Sequence, residues 1–95
     1  MNMRQINEAL QSLPGWSYNN GKIEKQYRFA GFADAISFMT ACAFVCEKMD
    51  HHPEWLNVYN VVQTALVTHS NNQVTQKDID LAHAMDDRAE RFAVR

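Results

Sequence analysis

A chain of 95 residues, 46% hydrophobic and 21% charged, has an ordinary globular composition and room for one compact domain, read here as residues 1–95. A net charge of −2 and a pI near 6.0 offer phosphate groups no basic field, which argues against direct nucleic-acid binding. No apolar run nears the ~18 residues that span a bilayer, and the opening MNMRQINEAL lacks the apolar core of a signal peptide, so a cytoplasmic protein without membrane contact is expected.

Ile6, Ala9, Leu10 and Leu13 recur at helical spacing until Pro14 and Gly15 stop them, which predicts a first amphipathic helix. Asn20-Gly21 then separates two short runs, and Ile23, Tyr27 and Phe29 alternate with Glu24, Gln26 and Arg28. Asn-Gly between such runs signals a tight hairpin, because both central residues of the turn need positive φ. From Phe32 to Met49 the helical pattern returns, with Phe32, Ala35, Ile36, Met39, Cys42, Ala43, Cys46 and Met49 forming one broad apolar face. Cys42 and Cys46 stand four apart inside that helix, where a bridge would close only a tiny loop, so they read as packed free thiols.

Pro53 forbids continuation of the helix and pushes His52 out of helical geometry. The segment Trp55 to His69, rich in Val, Tyr and Thr, suits paired strands. In its second half Val62, Thr64, Leu66 and Thr68 share one face, and His69 falls at the strand exit. After the polar loop 70–73, Thr75-Gln76-Lys77-Asp78 matches a capping box, and Ile79, Ala82, Met85, Ala89 and Phe92 form the stripe of a last helix. The predicted order is α-β-β-α-β-β-α. An α+β fold, a four-stranded antiparallel sheet with three helices packed on one face, buries all three stripes most simply. At this size a large internal cavity is excluded, so an active site belongs in a surface cleft or between subunits.

The chemistry gathers around DHHPEW, Asp50 to Trp55. His51 and His52 lie on a stiffened connector and His69 at a strand exit, places from which side chains reach a cleft. Glu47 stands one turn back, Asp50 adjacent, Trp55 just beyond the proline and Asp78 at the start of the last helix. Imidazole both gives and takes a proton near neutral pH, and carboxylates orient it, so the set suits proton transfer. Plainer readings stand beside this one. His69 alone reads as an exposed strand-end residue, His51-His52 as a polar loop, Asp78 as a helix cap, Trp55 as a core aromatic and His83 as a surface residue. Three histidines and an acid are also zinc-type ligands, but adjacent histidines diverge and no Cys-x-x-Cys or His-x-x-x-His pair completes a shell, so no metal is expected.

The run EKMDHHPEWLNVYNVV, then Thr68-His69, then VTQKDIDLA from Val74 to Ala82, resembles the pterin-4a-carbinolamine dehydratase family. The resemblance extends to LPGW at Leu13 to Trp16 and to the Phe32 to Ala35 opening of the second helix. It implies the same fold, assembled as a homodimer or homotetramer. It also implies a hydro-lyase that dehydrates a 4a-hydroxytetrahydropterin to the quinonoid dihydropterin and water, in tetrahydrobiopterin recycling for phenylalanine hydroxylation, with no cofactor. Carried over, the catalytic residues match His51, His52 and His69, and the pocket acids match Glu47 and Asp78. Asp50, Trp55, Thr68 and Ser70 fall where members line or neighbour the pterin. His52 is expected to position substrate, and His51 and His69 to exchange protons with it. The chain departs from the family pattern at Gln73, where most members have Gly, and at Lys77, where Arg is usual. Other members resemble this fold but act as dimerisation cofactors of a homeodomain transcription factor, or as assembly factors for a carbon-fixing enzyme. A protein partner is therefore the alternative that the resemblance implies.

Overall fold

The structure is a computed structural model that describes residues 1–92. Helix α1 spans Met3–Leu10, strands β1 and β2 Ser17–Asn19 and Lys22–Arg28, and α2 Phe32–Met49. Strands β3 and β4 follow at Glu54–Val58 and Val61–Leu66, and α3 runs Gln76–Ala89, closed by a 3-10 turn at Glu90–Phe92. The element order is the predicted one. The sheet is antiparallel throughout, in the order β1-β2-β4-β3.

Local chemistry fixes most boundaries. Asn2 and Gln5 cap α1 reciprocally: the Asn2 side chain accepts the Gln5 N–H and the Gln5 side chain accepts the Asn2 N–H, each at 2.9 Å. The β1–β2 turn has Asn20 at φ 53° and Gly21 at φ 83°, the backbone that the Asn-Gly pair supplies at least cost. Register sets Ile23 opposite Leu66 and Tyr27 opposite Val62, so alternate residues of β2 and β4 share the buried face. Against that face lie Ile6 of α1, Phe38, Cys42 and Cys46 of α2, and Ile79, Leu81, Ala82 and Met85 of α3, all buried.

Three expectations need correction. Phe32, Ile36 and Ala43 were placed on the buried face of α2 but are exposed, while Phe38 is fully buried against Tyr27 and Phe29. The helix is apolar around most of its circumference, so spacing alone does not fix which side turns inward. The last strand also ends at Leu66, so His69 stands in the turn beyond it, past a lone bridge between Thr68 and Gln73. Leu13, read into the first helical stripe, is buried from the turn after α1.

Candidate active site

The end of α2 decides where its two histidines go. Asp50 takes the left-handed conformation, φ 51°, and the His51 N–H returns to the Cys46 carbonyl at 3.1 Å. This is a Schellman-type termination, with Pro53 barring any further helical turn. Neighbouring side chains then diverge: His51 is 6% exposed, whereas the His52 side chain is 58% exposed.

Inside, His51 Nε2 lies 2.6 Å from Asp78 Oδ1. Asp78 is fully buried at the third position of α3. Its Oδ2 accepts the Thr75 backbone N–H and the Thr68 hydroxyl, each at 2.9 Å. The capping reading of Asp78 is therefore met through Oδ2, while Oδ1 faces His51. Thr68 is also 2.6 Å from Thr75, hydroxyl to hydroxyl. Among the described residues no group bonds to His51 Nδ1. It is not sealed either, because Thr64 Oγ1 is the one buried, unpartnered side-chain polar atom among the described residues.

Outside, His52 Nε2 approaches Glu47 Oε1 at 3.8 Å and His69 Nε2 approaches Glu54 Oε2 at 3.9 Å. Both are ion pairs only when the ring is charged, and both are too long for direct hydrogen bonds. Glu54 is itself fixed by Lys22 at 2.6 Å. These contacts, with the chain's own connections, tie two segments together. His51 reaches Thr68 through Asp78, Thr68 adjoins His69, His69 reaches Glu54, and Glu54 lies two residues beyond His52. The connector and the turn after β4, far apart in sequence, thus meet at one edge of the sheet.

Trp55 is half-buried and packs against the core cluster. Asp50 and Ser70 are exposed, and their side chains make no hydrogen bond among the described residues. Glu54 and Thr75 join the cluster although neither was among the expected site residues. Glu54 was in view beside Pro53, but Thr75 read only as a cap. A cleft of about 600 Å3 on the sheet shares Glu54 and Trp55 with the cluster and runs on past Gln26, Leu56 and Gln63 without reaching the histidines. His52 and His69 are exposed outside that cleft, whereas His51 is buried beside Asp78. Among the described residues no three His, Cys, Asp or Glu side chains converge as metal ligands, and no helix is long and apolar enough to cross a membrane.

Comparison with known proteins adds to this geometry. The sequence pattern of the family described as pterin 4 alpha carbinolamine dehydratase matches residues 1–88. A relative from Rhodopseudomonas palustris, provisionally named pterin-4-alpha-carbinolamine dehydratase, is 47% identical over 93 residues, 96% of this chain and 92% of its own. One of the same provisional name from Sinorhizobium medicae is 48% identical over 87 residues, covering 90% of this chain and 83% of its own. The crystal structure of a transcriptional coactivator/pterin dehydratase from Brucella melitensis superposes with a TM-score of 0.90 at 43% identity, over 94% of this chain and 97% of that one.

Proposed function

This chain belongs to the pterin-4a-carbinolamine dehydratase family and is a hydro-lyase, and from that premise we propose that His51, His52 and His69 carry the dehydration of a 4a-hydroxytetrahydropterin. In the reaction the N5 lone pair forms the N5=C4a bond as the C4a–O bond breaks. The oxygen leaves as water by taking one proton, and N5 releases one, so the step is redox-neutral. It needs an acid on one side and a base on the other.

His51 suits the base. Its Nε2 is held by Asp78 at 2.6 Å, and its Nδ1 carries no partner among the described residues. That buried carboxylate orients the ring and stabilises the imidazolium formed when Nδ1 takes the N5 proton. His69, beside Glu54, delivers the proton to the leaving oxygen, and the more exposed His52 positions the pterin with Glu47. Asp50, Trp55, Thr68 and Ser70 complete the substrate surroundings, the half-buried Trp55 ring offering a flat face. The observation that supports this reading is the chain of contacts from His51 through Asp78 to Thr68, the neighbour of His69, with His69 in turn beside Glu54. The physiological setting we infer is tetrahydrobiopterin recycling in the cytoplasm, in support of phenylalanine hydroxylation.

Dehydration kinetics of single alanine variants test the assignment. His51→Ala and His69→Ala should each lose ~10² to 10⁴ in kcat, the usual worth of a positioned acid or base. His52→Ala should act mainly on KM. Wild-type rates for both His52→Ala and His69→Ala would remove the assignment.

Assembly as a homodimer or homotetramer is supported by large apolar side chains left bare: Phe44 is 73% exposed on α2, and Leu56 and Val58 are 59% and 64% exposed on edge strand β3. Sedimentation at micromolar concentration should show more than one copy per particle, and a strict monomer would contradict it. A second role as a protein-binding cofactor draws support from a groove along α2 that combines Ile36 and Phe44 with Lys48, Arg88 and Arg91, and from the coactivator part of the Brucella protein's name.

A further inference from the structure

We propose that Thr75 is a positioning residue for His51, the outer end of a hydroxyl chain that holds the imidazole with its proton on Nε2 and its Nδ1 bare. The chain runs from Thr75 Oγ1 to Thr68 Oγ1 at 2.6 Å, from Thr68 Oγ1 to Asp78 Oδ2 at 2.9 Å, and from Asp78 Oδ1 to His51 Nε2 at 2.6 Å. Counting protons fixes its direction. A carboxylate only accepts, and imidazole is the stronger base of the two, so the proton between Oδ1 and Nε2 resides on the ring. On the other side of the carboxylate, Thr68 gives its only hydroxyl proton to Oδ2. The short contact between the two hydroxyls must then be filled by the proton of Thr75, which donates while Thr68 accepts.

Thr75 therefore acts on Asp78 twice. Its backbone N–H binds Oδ2 directly at 2.9 Å, which serves the helix start, and its hydroxyl orders the Thr68 proton toward the same oxygen. Every donor and acceptor around Asp78 is matched, and the matching leaves one outcome for His51. In neutral imidazole one nitrogen donates and the other accepts. With Nε2 donating inward, the lone pair is on Nδ1, the nitrogen without a partner among the described residues and not sealed from solvent. Without the Thr75 proton, Thr68 is free to turn its own proton away from Oδ2. The carboxylate then loses a donor and holds the ring less firmly.

The consequence for rate rests on the dehydratase reading, but the consequence for the tautomer does not, so the experiment separates them. The tautomer of His51 is read by nitrogen NMR on protein labelled at the histidine rings, alongside steady-state dehydration kinetics. Wild-type protein should show the neutral form of His51 as a single Nε2–H tautomer. Thr75→Val should show a mixture of tautomers, with kcat about 5- to 10-fold lower and KM unchanged, the fold-change of one lost neutral hydrogen bond. Thr75→Ser, which restores the hydroxyl, should return both readouts to wild type. A purely structural role for Thr75 would lower the melting temperature of Thr75→Val and leave the tautomer alone, and that result overturns the proposal. Should Thr75→Val fail to fold, Thr68→Val breaks the same chain one link further in, and an unchanged tautomer there overturns it equally. Absence of turnover in the wild type would remove the dehydratase reading while the NMR comparison still decides the role of Thr75.

Discussion

Helix α3 carries two carboxylates that look alike by donor count and differ in what they can do. Asp78 receives His51, the Thr68 hydroxyl and the Thr75 N–H, shared between its two oxygens. Asp86, two turns later, receives the Trp16 indole N–H at 3.1 Å, the Lys25 ammonium at 2.9 Å and the Tyr27 hydroxyl at 2.6 Å, all on Oδ1. Around Asp86 the Tyr27 phenol keeps its proton at neutral pH. The Tyr27 phenol is pushed well above its ordinary range by burial, and then by the hydrogen bond to Asp86 and its charge. The Asp86 cluster is a knot that ties the turn after α1 and strand β2 to α3. Around Asp78 one partner is an imidazole with a second nitrogen, so the same kind of cluster becomes able to transfer protons. What separates a tie from a site is whether one donor can exchange its proton at working pH, not how many donors converge.

The most severe test of that distinction replaces each carboxylate by its amide. Asp78→Asn keeps the size but can offer His51 an N–H, or no longer fixes its tautomer, and kcat should fall by ~10² to 10⁴ in the dehydration assay. Asp86→Asn should leave the kinetics as they are and lower the urea midpoint by an amount equivalent to ~1–3 kcal/mol, the cost of weakening a half-buried charged acceptor. Similar kinetic losses in both variants would erase the comparison.

The two regions also differ in how far the sequence discloses them. The Asp78 cluster is written in short-range signals: Thr75 and Asp78 stand three apart as a capping box, and His51-His52-Pro53 ends a helix by rules local to the chain. What spacing does not encode is the meeting of Thr68 with Thr75, or of His69 with Glu54, since both depend on the turn after β4 folding back. Asp86 sits in the charged run His83 to Arg91 and reads as surface, yet its partners lie 70, 61 and 59 residues away. Nothing near it announces them. The inward side of α2 was ambiguous for a related reason. With Phe32, Ile36, Phe38 and Phe44 spread around one helix, only the sheet's position selects Phe38 for burial and leaves Phe44 bare. The candidate site was legible where one residue constrains its neighbours, and illegible where two distant segments constrain each other.

The smallest effect we expect, and the one that reads the Asp86 knot most directly, is that of Tyr27→Phe. At pH 7 the variant loses a 2.6 Å hydrogen bond from a buried phenol to a carboxylate and should be less stable by ~1.5 kcal/mol, the low end for a charged acceptor, with unchanged dehydration kinetics. The deficit should shrink in alkali. Because folding raises the Tyr27 phenol above its ordinary value, the native state retains a proton that the unfolded chain releases once the pH passes ~10. The wild type then loses about 1.4 kcal/mol per pH unit relative to a variant with nothing to titrate at that position. Cys42, pushed up to about 12 chiefly by burial, titrates in both proteins and largely cancels from the difference. Urea midpoints measured at pH 7 and again near pH 11 should therefore converge. A deficit that stays constant across that range would mean that the Tyr27 phenol loses its proton as easily as one in water, and that Asp86 does not hold it.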